Sequence, residues 1–120
     1  MTDDTALDGL VGDWLTLADV AERLGVTVGK VKTLVADHEL AAAAPGPGPR
    51  RVPARFLDGD QILRGLGGTL TVLADAGYAD DEAIRWLFSG HDALDGTRPL
   101  DALADNRPTV VHRLAQMTAF

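Results

Sequence analysis

The sequence contains no cysteine, which excludes a disulfide framework, a thiolate metal site and a cysteine nucleophile. It also lacks any apolar run approaching the ~20 residues of a membrane span. The opening residues Met1 to Asp8 are acidic where a secretory signal would be basic, so a cytoplasmic protein with no membrane partner is expected. Histidine is scarce: His38, His91 and His112 stand far apart, with no spacing that would set two ligands on one helical turn. Neither a metal nor a cofactor is therefore expected. A catalytic constellation is missing as well. Asp80, Asp81 and Glu82 sit at a helix start, where capping and the helix dipole account for them. Asp75, Asp92, Asp95, Asp101 and Asp105 are scattered, and Gly65, Gly67 and Gly68 lack the Lys and Ser/Thr of a phosphate-binding loop. The aromatic residues Trp14, Trp86 and Phe88 read as core. No enzyme is expected, and there is no internal repeat.

What is present suits one compact domain. The 120 residues are 46% hydrophobic, enough for a core without staples. The formal net charge of −7 disfavours an indiscriminate polyanion coat, but the charge is unevenly placed. Between Arg23 and Arg64 seven basic residues face four acidic ones, a balance of +3 that leaves −10 for the remainder. One anion-facing surface on an acidic body would produce this asymmetry, as would uneven scatter of surface charge.

Residues 1–13, with four aspartates, two glycines and little apolar periodicity, predict a disordered acidic leader. Thr16 is a good N-cap with Asp19 at N3, a capping-box spacing. Leu17, Val20, Ala21 and Leu24 follow as an apolar stripe, and Gly25 stops the helix. Thr27 opens a second helix from Val28 to Asp37, in which Val28, Val31, Leu34 and Val35 share the packed face while Lys30, Lys32 and Thr33 point elsewhere. Val26 is expected to bury the turn. Two short helices joined by a glycine-containing turn make a helix-turn-helix. The run Pro45-Gly-Pro-Gly-Pro-Arg-Arg-Val-Pro forbids helix and reads as the tip of a hairpin wing, or alternatively as an inter-domain linker. Beyond Leu57 the pattern is helical again. One or two helices run over Ile62 to Ala74, with Gly65, Gly67 and Gly68 marking a break; a short helix is capped by Asp80, another has Pro99 at N1, and the last starts near Pro108.

The expected fold is mainly α: a winged helix-turn-helix with a short β-hairpin wing at residues 14–58 and a C-terminal helical bundle at residues 59–120. Double-stranded DNA is the expected partner, with Thr27, Lys30, Lys32 and Thr33 on the second helix and Arg50, Arg51 and Arg55 around the wing as candidate contacts. These are phosphate contacts more than base readers. No Arg or Asn lies between Thr27 and Asp37, so the bidentate readers of guanine and adenine are missing there, although Lys can reach guanine. Modest or shape-dependent specificity follows. The same two helices would also serve as a packing or protein-docking module. A dimer, which the C-terminal helices could mediate, would need two half-sites about one helical turn apart.

Four stretches carry a resemblance over nearly the whole chain: Trp14-Leu-Thr-Leu-Ala-Asp-Val-Ala-Glu-Arg-Leu-Gly-Val, Val52-Pro-Ala-Arg-Phe-Leu, Gly77-Tyr-Ala-Asp-Asp-Glu-Ala-Ile-Arg-Trp-Leu-Phe and Arg98-Pro-Leu-Asp-Ala-Leu. They resemble a family of small actinobacterial winged helix-turn-helix DNA-binding proteins that are Ser/Thr protein kinase substrates. The resemblance implies transcriptional regulation by a phosphoprotein whose DNA binding is blocked when a leader threonine is phosphorylated. Here that role would fall on Thr5 or Thr2, with Thr16 a third candidate. A second, local resemblance runs from Trp86 to Leu103, which looks like the toxin-binding helices of some antitoxins. It implies a protein-binding module with a toxin partner.

Overall fold

The computed structural model describes residues 3–44, 46 and 48–118. Local sequence signals set the first elements. Helix α1 spans Asp3–Val11 and is followed by strand β1, Trp14–Leu15. Helix α2, Leu17–Leu24, begins with the expected capping box: the Thr16 hydroxyl accepts from the Asp19 amide at 3.0 Å, and the Asp19 carboxylate accepts from the Thr16 amide at 3.2 Å. Gly25 closes it in the left-handed conformation. Helix α3, Val28–Ala36, starts at Thr27, whose hydroxyl accepts from the Lys30 amide at 3.0 Å.

After α3 the chain returns as a minimal wing. Ala43 and Arg51 form an antiparallel bridge with backbone bonds of 2.8 and 2.9 Å, and strand β2, Val52–Pro53, pairs with β1 in the register Trp14↔Pro53 and Leu15↔Val52. The wing tip falls partly on residues 45 and 47, which lie outside the described residues. A 3₁₀ turn at Ala54–Phe56 then leads to strands β3, Leu57–Asp58, and β4, Gln61–Ile62. The C-terminal helices are α4 (Leu66–Asp75), α5 (Asp80–Leu87), α6 (Pro99–Ala104) and α7 (Pro108–Thr118). The result is a mainly helical winged helix-turn-helix with a C-terminal helical bundle, built on one cluster of buried apolar residues drawn from both parts. Among the described residues no helix is long and apolar enough to cross a membrane.

Four expectations need correction. Residues 3–11 are helical, not a disordered leader: Leu7 and Val11, one turn apart, are buried in the core, and α1 packs on α5. Burying Leu7 contributes about 1.5–3 kcal/mol, which orders a stretch whose composition is acidic. Residues 57–62 form a hairpin, not helix. Gly59 takes φ +66° at the first of two loop residues, and the Arg23 guanidinium of α2 donates to its carbonyl at 3.0 and 3.3 Å. Helix α4 runs unbroken through Gly67 and Gly68, with Gly65 preceding its first turn. Two of these glycines have close neighbours: a Cβ at Gly65 would meet Pro108 Cβ of α7 at 2.5 Å, and one at Gly67 would meet the Glu39 carboxylate at 3.0 Å, while Gly68 faces open space. Finally, Ala79 rather than Asp80 is the N-cap of α5. The Glu82 carboxylate reaches back to the Ala79 amide at 2.9 Å, which leaves Asp80 to accept from the Ala42 amide beside the wing at 3.1 Å.

Candidate nucleic-acid interface

In α3, Val31 and Val35 are 0% and 5% exposed and Leu34 packs against the core. With ~100° per residue, the direction opposite Val31 and Val35 falls on Gly29, Thr33 and Ala36, with Lys30 and Lys32 on the two flanks. The helix thus presents a low ridge of small residues between two ammonium groups, a shape that admits close approach to a groove while the lysines reach its phosphate walls.

All seven candidate contacts, Thr27, Lys30, Lys32, Thr33, Arg50, Arg51 and Arg55, are exposed. Six lie on α3 or the wing. The Thr33 hydroxyl donates to the Gly29 carbonyl at 3.2 Å, and both threonine oxygens retain capacity for a further bond. Arg51 is fixed by its backbone bridge at the base of the wing. Arg50 shares a shallow concavity with Ala42, Ala43, Ala44, Asp80 and Asp81. Among the described residues Lys30, Lys32, Arg50 and Arg51 enter no ion pair.

Arg55 differs. Its Nη2 is 2.9 Å from Asp101 Oδ1 on α6, and the same carboxylate takes two bonds from Arg98, from Nε to Oδ2 at 2.8 Å and from Nη2 to Oδ1 at 3.1 Å. These donors hold the Asp101 carboxyl below the ordinary carboxylate value, the Arg98 hydrogen bonds contributing most and burial opposing them. Arg98 also lies 5.8 Å from the centre of the Phe88 ring, and Phe88 meets Phe56 at 6.0 Å. Arg55 thus belongs to the contact that docks α6 on the wing exit.

The two valines at the start of α3 are less covered than the rest of its apolar face. Val26 and Val28 are 36% and 39% exposed. The period of α3 puts Val28 on the same face as Val31 and Val35, and how far it is covered there depends on how far α2 overlaps the first turn of α3. Of the leader threonines, Thr5 falls within α1 and Thr2 lies outside the described residues.

A concavity of about 670 Å³ lies elsewhere, along Tyr78, Arg85, Trp86 and His91. Three of its polar groups serve the fold: Glu82 caps α5, the Ser89 hydroxyl donates to the Arg85 carbonyl at 2.7 Å, and His91 Nε2 lies 3.1 Å from the Trp86 carbonyl oxygen. Among the described residues no group of three or more His, Asp or Glu could hold a metal ion.

Comparison with known proteins agrees with this architecture. Residues 2–57 match the family described as DNA-binding protein Rv2175c, wHTH domain, and residues 63–119 match the Rv2175c C-terminal domain of unknown function. The DNA-binding protein Rv2175c of Mycobacterium tuberculosis is 36% identical over 115 residues, covering 87% of this chain and 79% of that protein. The NMR structure of Rv2175c is similar with a TM-score of 0.79 at 36% identity, over 90% of this chain and 82% of that one. A capped helix-turn-helix, a minimal wing and a four-helix C-terminal part, all matched along the sequence, place this chain in the Rv2175c family of winged helix-turn-helix proteins.

Proposed function

We propose that the protein binds double-stranded DNA, with α3 in the major groove and the wing against the neighbouring backbone, and that it acts as a transcriptional regulator in the cytoplasm. It works by binding, not catalysis. The observation that carries this reading is the set of exposed cations Lys30, Lys32, Arg50 and Arg51, in no ion pair among the described residues, on a chain of net charge −7. In an acidic protein, cations without carboxylate partners on a helix-turn-helix and its wing match a polyanion. The name of the Mycobacterium tuberculosis relative, a DNA-binding protein, supports it.

Regulation in this reading falls on Thr5 or Thr2. A phosphate there adds about −1.5 to −2 charges and would weaken attraction to DNA, so Thr5→Glu should lower affinity at low salt in a binding titration. Dimerisation through the C-terminal helices would set two α3 helices on half-sites about one turn of DNA apart.

The test is fluorescence anisotropy of a labelled duplex at several salt concentrations. The wild-type protein should bind with a steep salt dependence. Replacing Lys30, Lys32, Arg50 and Arg51 together with alanine should flatten the log–log slope by about three to four, at ~0.9 per lost phosphate contact. No binding even at low salt would overturn the reading and favour a protein partner such as a toxin.

A further inference from the structure

The two exposed valines stand where a helix-turn-helix meets base edges. Val26 and Val28 flank Thr27, the N-cap of α3, and they are two of the four exposed large apolar side chains among the described residues; the others, Val110 and Met117, lie on α7. Both valines keep a little over a third of their surface exposed, whereas Val31 and Val35 of the same helix are buried and Leu34 packs against the core. Beside Val28 the surface is bare: at Gly29 an added Cβ would have only the Thr27 hydroxyl oxygen within 4 Å, at 3.8 Å. The amino-terminal residues of a recognition helix are those that reach the base edges, so this part of α3 offers a groove methyl groups and open backbone rather than hydrogen-bonding forks.

Elimination points the same way. From Thr27 to Asp37 the helix has no Arg, Asn or Gln, the side chains that read guanine or adenine by paired hydrogen bonds. Lys30 and Lys32 sit on its flanks, suited to phosphates. The base-edge feature that an aliphatic side chain can recognise is the C5-methyl group of thymine, which projects into the major groove.

Resting on the DNA-binding reading above, we propose that Val28, assisted by Val26, confers a preference for thymine by apolar contact with its 5-methyl group in the major groove. The partner is therefore a duplex whose half-site carries thymine opposite the start of α3. One buried methyl contact corresponds to about a three- to five-fold change in affinity, a modest preference superimposed on charge-driven binding.

Uracil tests this directly, because it pairs as thymine does and lacks only the methyl group. Anisotropy titrations at one salt concentration would compare an alternating A·T duplex with the same duplex carrying uracil in place of thymine. The full-length wild-type protein should bind the thymine duplex about three- to five-fold more tightly. Val28→Ala should reduce that ratio to near one while binding the uracil duplex as the wild type does. Ala is a better helix former than Val and Val28 is exposed, so the variant should stay folded, checked by its thermal melting. A second arm replaces cytosine by 5-methylcytosine in a G·C duplex, which restores the methyl group without A·T groove shape, and affinity should rise by a similar factor. Equal wild-type affinity for the thymine and uracil duplexes, or an unchanged ratio in Val28→Ala, overturns the methyl contact while leaving DNA binding intact. Absence of binding to every duplex at low salt overturns both.

Discussion

Two groups of cations in this molecule meet opposite fates. At the wing exit and α6, Arg55 and Arg98 converge on Asp101 within 2.8–3.1 Å, and this network, with Phe56 against Phe88, ties the winged helix to the C-terminal helices. On α3 and the wing, Lys30, Lys32, Arg50 and Arg51 are exposed and enter no ion pair among the described residues. The difference is whether a carboxylate comes within bonding distance, and Arg50, which shares a concavity with Asp80 and Asp81, pairs with neither. Asp101 stands at N3 of a short helix that faces the wing exit, whereas α3 has no acidic residue in its first turn. A basic residue near a wing is therefore not by that fact a ligand contact, and Arg55 shows the distinction within five residues of Arg50.

The largest expected effect comes from breaking the contact between the two regions. Phe56 is fully buried, and Phe56→Ala should cost about 3–5 kcal/mol. Trp14 and Trp86 report on the two parts separately, so single-tryptophan versions followed in urea should lose both signals at one shared, lowered midpoint. Separate midpoints would show that the regions fold independently despite their common core. Next in size, Thr27→Ala removes the hydroxyl that caps α3 and should cost about 1 kcal/mol, read as a lower melting temperature with the wild-type fold at 25 °C.

A sharper test of the comparison pairs two arginines. In salt-dependent duplex titrations Arg51→Ala should lower the slope by about one, while Arg55→Ala should leave it unchanged. Equal effects would place Arg55 on the DNA face after all. The smallest effect concerns Asp101. Its carboxyl is held below the ordinary value near 4, chiefly by the Arg98 hydrogen bonds, so its stabilisation is complete above that value and disappears as pH falls through the lower folded-state value. The pair is partly exposed, and the contribution should stay under about 1 kcal/mol. Asp101→Asn should remove that component of the melting temperature's acid dependence, measured between pH ~6 and ~2.

Residue chemistry acting within a few positions was legible in the sequence. Thr16 with Asp19, Gly25 and Thr27 fixed the two helices because caps and left-handed turns depend on near neighbours. Pro99 and Pro108 marked two helix starts for the same reason. Readings that depended on distant partners went astray. The acidic stretch at residues 3–11 is a helix because α5 offers a surface for Leu7 and Val11, and composition cannot show that surface. Gly65 and Gly67, at the start of α4, mark the approach of Pro108 and Glu39, which local propensity reads as a break.

The sequence by itself determined that two capped helices and a proline-rich turn would present Lys30, Lys32, Arg50 and Arg51 away from an apolar stripe, since periodicity and capping are local. Only the tertiary structure decided which neighbours complete or withhold each partner: Asp101 reaches Arg55, Gly59 accepts from Arg23, and Val28 at the head of α3 stays partly exposed. The physical reason is that burial and ion pairing belong to pairs of surfaces, and a single stretch of chain specifies only one of each pair.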